Sequence, residues 1–143
     1  MKLSTGKVAF PIEFDNGDKD TIYFNPSDPN LFIRFSDFED KIRERLKDVE
    51  DLELTENGLP KNDELVDSFK RINNIICEEL DIAFGNKISD VVFKHCSPFA
   101  IVDGEYFIVQ FMEALRPEIE KQNKKVVAEN QKKIAKHTEK YKK

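Results

Sequence analysis

The chain has 143 residues, 39% of them hydrophobic and 36% charged, with a formal net charge of −5. That length suits one domain, which hides roughly 70% of the surface its unfolded chain exposes and needs no metal or disulfide staple. Charge well above the roughly 25% of an average domain describes a modest core in an ionised coat, and its acidic balance argues against a nucleic-acid binder.

The first predicted element is a hairpin. In VAFPIEF the residues Val8, Phe10, Ile12 and Phe14 share one face, and TIYF (21–24) is the return strand. Asn16-Gly17 is a preferred pair for a two-residue turn with positive φ at both positions. Such a turn sets Phe10 opposite Tyr23 but also Glu13 opposite Asp20, so a longer loop stays open as the alternative. Pro11 cannot donate to the ladder and belongs on an edge or at a bulge.

NPSDPN (25–30) stops the strand, with Ser27 and Asp28 as capping side chains ahead of Pro29. A helix follows on the stripe Leu31, Phe35, Phe38, Ile42, Leu46 and Val49. Gly58 and Pro60 break the pattern, and Asn62 or Asp63 caps a second helix with the stripe Leu65, Phe69, Ile72, Ile76, Leu80 and Ala83. Gly85 stands where a helix C-cap belongs. A short helix from Ser89 to about His95 is predicted, with Val91 and Val92 inward. Phe107, Ile108, Phe111, Met112 and Leu115 form another helical face, and Pro117 should kink or restart the chain there.

From Glu118 to Lys143 there are nine lysines and four acids, a local +5 that leaves −10 on residues 1–117. With few apolar residues, this part reads as a solvated helix projecting from the body and fraying toward its end. The predicted class is α+β, predominantly α-helical: an N-terminal β-hairpin packed on a bundle of four to five helices with a projecting C-terminal helix. Residues 1–117 form the compact domain (hairpin 1–25, helical part 28–117), and residues 118–143 form the basic tail.

KHCSPFAIVDGEYF (94–107) gathers residue types used in catalysis. A nucleophilic thiol needs an imidazole within hydrogen-bond reach, whereas His95 and Cys96 are neighbours whose side chains diverge. The other histidine, His137, lies in the basic tail. Cys77, His95, Cys96 and His137 lack the two- to four-residue spacing of zinc ligand pairs. Cys77 reads as a small core hydrophobe and Cys96 as a residue packed at a helix end. The acids Asp48, Glu50, Asp51, Glu53 and Glu56, and again Glu78, Glu79 and Asp81, read as solvated faces. NGDKD (16–20) lacks the spaced ligands and distal glutamate of a calcium loop. The stretch reads instead as a connector: Ser97-Pro98 ends a helix, Phe99 and Ile101 enter the core, Asp103-Gly104 turns, and Glu105 opens the next helix. The reading is therefore of a non-enzyme with no catalytic residue, no cofactor and no metal. No apolar segment follows Met1-Lys2 and no run approaches a membrane span, so the expected location is cytosolic, with reduced thiols.

YFNPSDPNLFIRFSDF (23–38), GNKISDVVFKHCSPFAIVDGEYFIVQFMEAL (85–115) and the lysine-rich tail together resemble the tail assembly chaperones, or chaperone-like tail proteins, of phages and prophages of Gram-positive bacteria. The shared elements are an Asn-Pro-x-Asp-Pro helix start, a Gly-x-x-x-Ser pair and a Ser-Pro-Phe loop with a Gly-Glu-x-Phe helix start. The resemblance implies a helical protein of the host cytoplasm that binds the tape measure protein and recruits tail tube subunits, is absent from the finished virion, and in many members has a longer frameshifted form. It carries no catalytic residues. The alternatives are a structural minor tail or head-tail connector protein of a phage, or a small regulatory binding protein. The residues offered to a partner, another copy included, are Lys124, Lys125, Val126, Val127, Lys132, Lys133, Ile134 and Tyr141.

Overall fold

The structure, a computed structural model, describes residues 1–51 and 62–140. Eight elements follow one another: β1 (Val8–Glu13), β2 (Lys19–Phe24), α1 (Pro29–Glu50), α2 (Asp63–Phe84), α3 (Ser89–Val92), β3 (Ile101–Val102), β4 (Glu105–Tyr106) and α4 (Phe107–Lys140). The fold is thus α+β and predominantly helical, with the N-terminal hairpin against four helices.

The hairpin takes the longer loop. Phe10 pairs with Ile22 and Glu13 with Lys19, and Phe14 N–H donates to the Asp18 carbonyl at 2.8 Å across the loop. The register is one residue away from that of a two-residue turn, which removes the Glu13–Asp20 repulsion and puts an acid opposite a lysine. That single step also turns Ile22 and Phe24 inward and leaves Tyr23 exposed. Gly17 has φ 87°, but Asn16 does not share its positive φ, so the turn expected at Asn16-Gly17 is not formed. It forms instead at Asp103-Gly104, with φ 52° and 83°, joining β3 to β4 as a two-residue loop.

Bonded pairs alternate in an antiparallel ladder, so Pro11–Thr21 falls between the bonded pairs Phe10–Ile22 and Ile12–Asp20 and costs the sheet nothing. Two of the outward polar groups of β2 are closed by side chains. Thr21 N–H donates to Asp20 Oδ1 at 2.8 Å, and Asn86 Nδ2 donates to the Tyr23 carbonyl at 3.1 Å. These two bonds leave fewer free groups on this edge for an added strand.

α1 begins as its sequence requires. Asp28 caps it by accepting from Asn30 N–H at 2.9 Å, and Pro29 occupies the first turn where no N–H is needed. Its predicted stripe is its buried face, with Leu46 half-buried. Asn62 caps α2, and Gly85 ends it in the left-handed conformation at φ 64°. α1 and α2 run antiparallel, tied by Arg45 to Glu79 at 2.9 Å and by Arg34 Nε donating to the Ala83 carbonyl at 3.2 Å. Phe10 stacks on Phe24 (4.1 Å between centroids), Phe24 meets Phe84 edge-on (5.1 Å), and Phe84 meets Phe35 (5.9 Å). This row of rings joins hairpin, α2 and α1 into one core, each buried ring contributing roughly 1.5–3 kcal/mol.

Asp81 is not part of a solvated face. Its carboxylate accepts from Ile88 N–H (2.9 Å), Ser89 N–H (2.8 Å) and Ser89 Oγ (2.8 Å), and so caps α3 from the last turn of α2. Glu79, held by Arg45, is also drawn in, its side chain only 14% exposed. The other acids of these two runs that the structure describes are exposed; Glu53 and Glu56 lie outside the described residues. α3 stops at Val92, earlier than predicted. Phe99 is buried, but Ile101 is 56% exposed because its place on β3 turns it outward. Glu105 belongs to β4 opposite Val102 rather than to a helix.

α4 starts on borrowed carbonyls: Phe107 N–H donates to Ala100 and Ile108 N–H to Pro98, both at 2.8 Å. It then runs for 34 residues, about 50 Å at 1.5 Å per residue. The helix does not restart at Pro117, which lies inside α4. Pro117 leaves the Glu113 carbonyl without its helical donor. Both residues line an open hollow, while Leu115 and Ile119 stay buried against the body. The body thus continues past the boundary placed at 117: Ile119 is 4% exposed, and Asn123 Nδ2 donates to the Pro26 carbonyl at 2.8 Å.

Candidate binding surface

The histidine-cysteine stretch is used for structure. His95 Nε2 lies 2.8 Å from Asp18 Oδ2, and its ring meets Phe14 edge-on at 4.6 Å. Lys94 reaches the same carboxylate at 2.8 Å and Asp20 at 3.1 Å. Hydrogen bonds from Lys94 and then from His95 hold the Asp18 carboxyl down at about 2. Asp20 is lowered by the Thr21 N–H and by Lys94, and Lys94 is raised by the two acids. Two consecutive side chains after α3 thereby clamp the loop of the β1–β2 hairpin.

The thiols are pushed away from reactivity. Burial, helped by Asp81, Asp90 and Glu78, lifts Cys77 to about 11, and burial with Asp15 raises Cys96. A higher pKa leaves less thiolate, the nucleophilic form, at neutral pH. Ser97 is also committed: its Oγ donates to Asn73 Oδ1 at 3.1 Å and accepts from Phe99 N–H at 3.2 Å. Among the described residues no three His, Cys, Asp or Glu side chains gather as a metal site. No described helix is long and apolar enough to cross a membrane.

The predicted partner-binding residues divide along α4. Lys124 and Lys125 are exposed, while Val126 and Val127 are half-buried at the rim of the body. Lys132, Lys133 and Ile134 stand beyond it, Ile134 at 63% exposure, in a stretch from Ala128 to Thr138 that is exposed throughout. His137 belongs to this same outer stretch. Tyr141 lies outside the described residues. Seven residues separate Val127 from Ile134, which puts both on one side of the helix.

A second surface escaped the sequence reading. Between α1 and α4 lie two hollows, one on each side of the ion pair Arg116–Glu39. The larger, about 470 Å³, has Ile42, Leu46, Val109 and Met112 as apolar lining. The smaller, about 260 Å³, has Leu31, Phe32, Phe35 and Ile119, with Phe32 43% exposed. The signal in the sequence was Phe32 and Val109, apolar residues beside the two helical stripes. Only the placing of α1 against α4 turns them into walls of one groove. No protein-family model matches the chain, nor does any curated protein or solved structure.

Proposed function

We propose that the chain is a non-catalytic tail assembly chaperone of a phage, acting in the host cytoplasm, which binds the tape measure protein and tail tube subunits during tail morphogenesis. The family resemblance of residues 23–38 and 85–115 points to that class. The single structural observation that supports a binding role is the outer part of α4. It carries lysines and an exposed isoleucine beyond an acidic body, and its apolar residues have no core to enter. A contact made of a narrow apolar stripe with flanking lysines is salt-sensitive and reversible, which suits a protein that must release its partner.

The test is co-expression of the full chain with a phage tape measure protein and a tail tube protein, followed by capture at low and high salt. Retention of the tape measure protein at low salt, loss at high salt, and absence of the chain from purified virions are expected. Its presence in virions would assign it instead to the minor tail or connector components. Capture of neither protein would remove the chaperone reading.

A further inference from the structure

We propose that the two hollows between α1 and α4 receive the outer part of α4 from a second copy of the chain, so that two copies exchange arms in a closed, two-fold dimer. This inference does not rest on the phage reading.

The two surfaces match in spacing. Met112 marks the larger hollow on α4 and Ile119 the smaller, seven residues or about 10 Å apart. Val127 and Ile134 are likewise seven residues apart on α4 of the incoming copy. Laid antiparallel with the axis at Asn123, the two helices bring Ile134 to the Met112 hollow and Val127 to the Ile119 hollow together. The same operation places the other arm in the other groove, so the contact is self-complementary and closes at two copies.

The occupant must come from outside. α4 is one unbroken helix from Phe107 to Lys140, and its outer part cannot fold back over residues 109–120 of the same helix. Charge favours a second copy of this chain, since residues 118–143 carry +5 and residues 1–117 carry −10. The groove is bordered by Glu39, Glu113 and Glu120 together with Arg43 and Arg116; in this register Lys133 of the incoming arm lies opposite Glu113, and Lys124 and Lys125 lie nearest Glu120.

Sedimentation equilibrium of the full chain, over a wide concentration range and at low and high salt, tests this. A dimer that grows no further and loosens with salt is expected. Ile134→Asp should weaken it by about tenfold or more, the fold-change for denying one isoleucine its apolar site, with circular dichroism unchanged and with melting unchanged at dilutions where the parent is monomeric. Val109→Lys, on the receiving side, should weaken it as well, and Lys132→Glu with Lys133→Glu should reduce both affinity and salt dependence. A chain that stays monomeric, an Ile134→Asp variant that dimerises as tightly as the parent, or assemblies growing beyond two copies would each overturn the exchange. Loss of the dimer in Ile134→Asp with tape measure capture intact would uphold the exchange while separating it from the chaperone contact.

Discussion

The two halves of α4 are one helix under two regimes. From Phe107 to Val127 it lies along the body: Ile108, Met112, Leu115 and Ile119 are buried, and Asn123 is bonded to the Pro26 carbonyl. From Ala128 to Thr138 every residue is exposed, yet the helix continues. An isolated helix of that length is marginal in water, because nucleation costs more than each added turn returns. Here the packed half supplies the nucleus, and the outer half only extends it with good helix formers such as Ala, Lys, Gln and Glu. Helicity along α4 therefore says nothing about where the core ends, and burial does.

The sharpest way to break this contrast is to put the same charge into both halves. At protein concentrations where the chain is monomeric, Ile119→Asp buries an unpaired carboxylate and should cost about 3 kcal/mol or more, whereas Ile134→Asp should stay within about 0.5 kcal/mol in a denaturant titration. Equal effects would mean that the outer half is packed on the body.

Pro117→Ala should act in the opposite direction. It restores the donor to the Glu113 carbonyl within a continuous helix, and a gain of about 1–3 kcal/mol is expected from thermal melting. A loss of stability would show that the helix bends at Pro117 in a way the packing of Ile119 requires.

Asn123→Ala marks the edge of the body. It removes the bond to Pro26 and should cost about 1 kcal/mol, while truncation after Glu129 should leave the melting temperature nearly unchanged at dilutions where the parent is monomeric. A truncated chain that melts much earlier would move the boundary outward.

The smallest effect concerns the far end of the body. Asp18, held at about 2 against an ordinary 3.8, favours the folded state fully above the ordinary value and loses that contribution as pH falls toward 2. Melts between pH 5 and 2 should therefore show a shallower acid decline for Asp18→Asn than for the parent chain. This carboxylate is 38% exposed, so solvent screens it and the difference should be small and should shrink with salt. Identical pH profiles would show that Lys94 and His95 do not hold the loop.

Most of the helical layout was legible because it is written in short-range terms. The stripes of α1 and α2, the Asp28 and Asn62 caps and the left-handed Gly85 each depend on residues within a turn or two, and each lies where periodicity and capping rules place it. The solvent-facing stretch from Ala128 to Thr138 was also legible, since a lysine-rich segment with few apolar residues cannot form a core. What resisted reading depends on partners far along the chain. Asn16-Gly17 and Asp103-Gly104 are both good turn pairs, and the first gave way to the register that buries Ile22 and Phe24 in the core. Asp81 looked like a surface acid until α3 brought the Ser89 backbone to it. Pro117 would end a free helix, but burial of Leu115 on one side and Ile119 on the other outweighs one missing hydrogen bond. The groove beside it exists only because α1 and α4 lie together. Local sequence determines which segments are helix, strand or turn; tertiary packing decides register, burial and surface, since those energies arise between residues that chain order does not bring together.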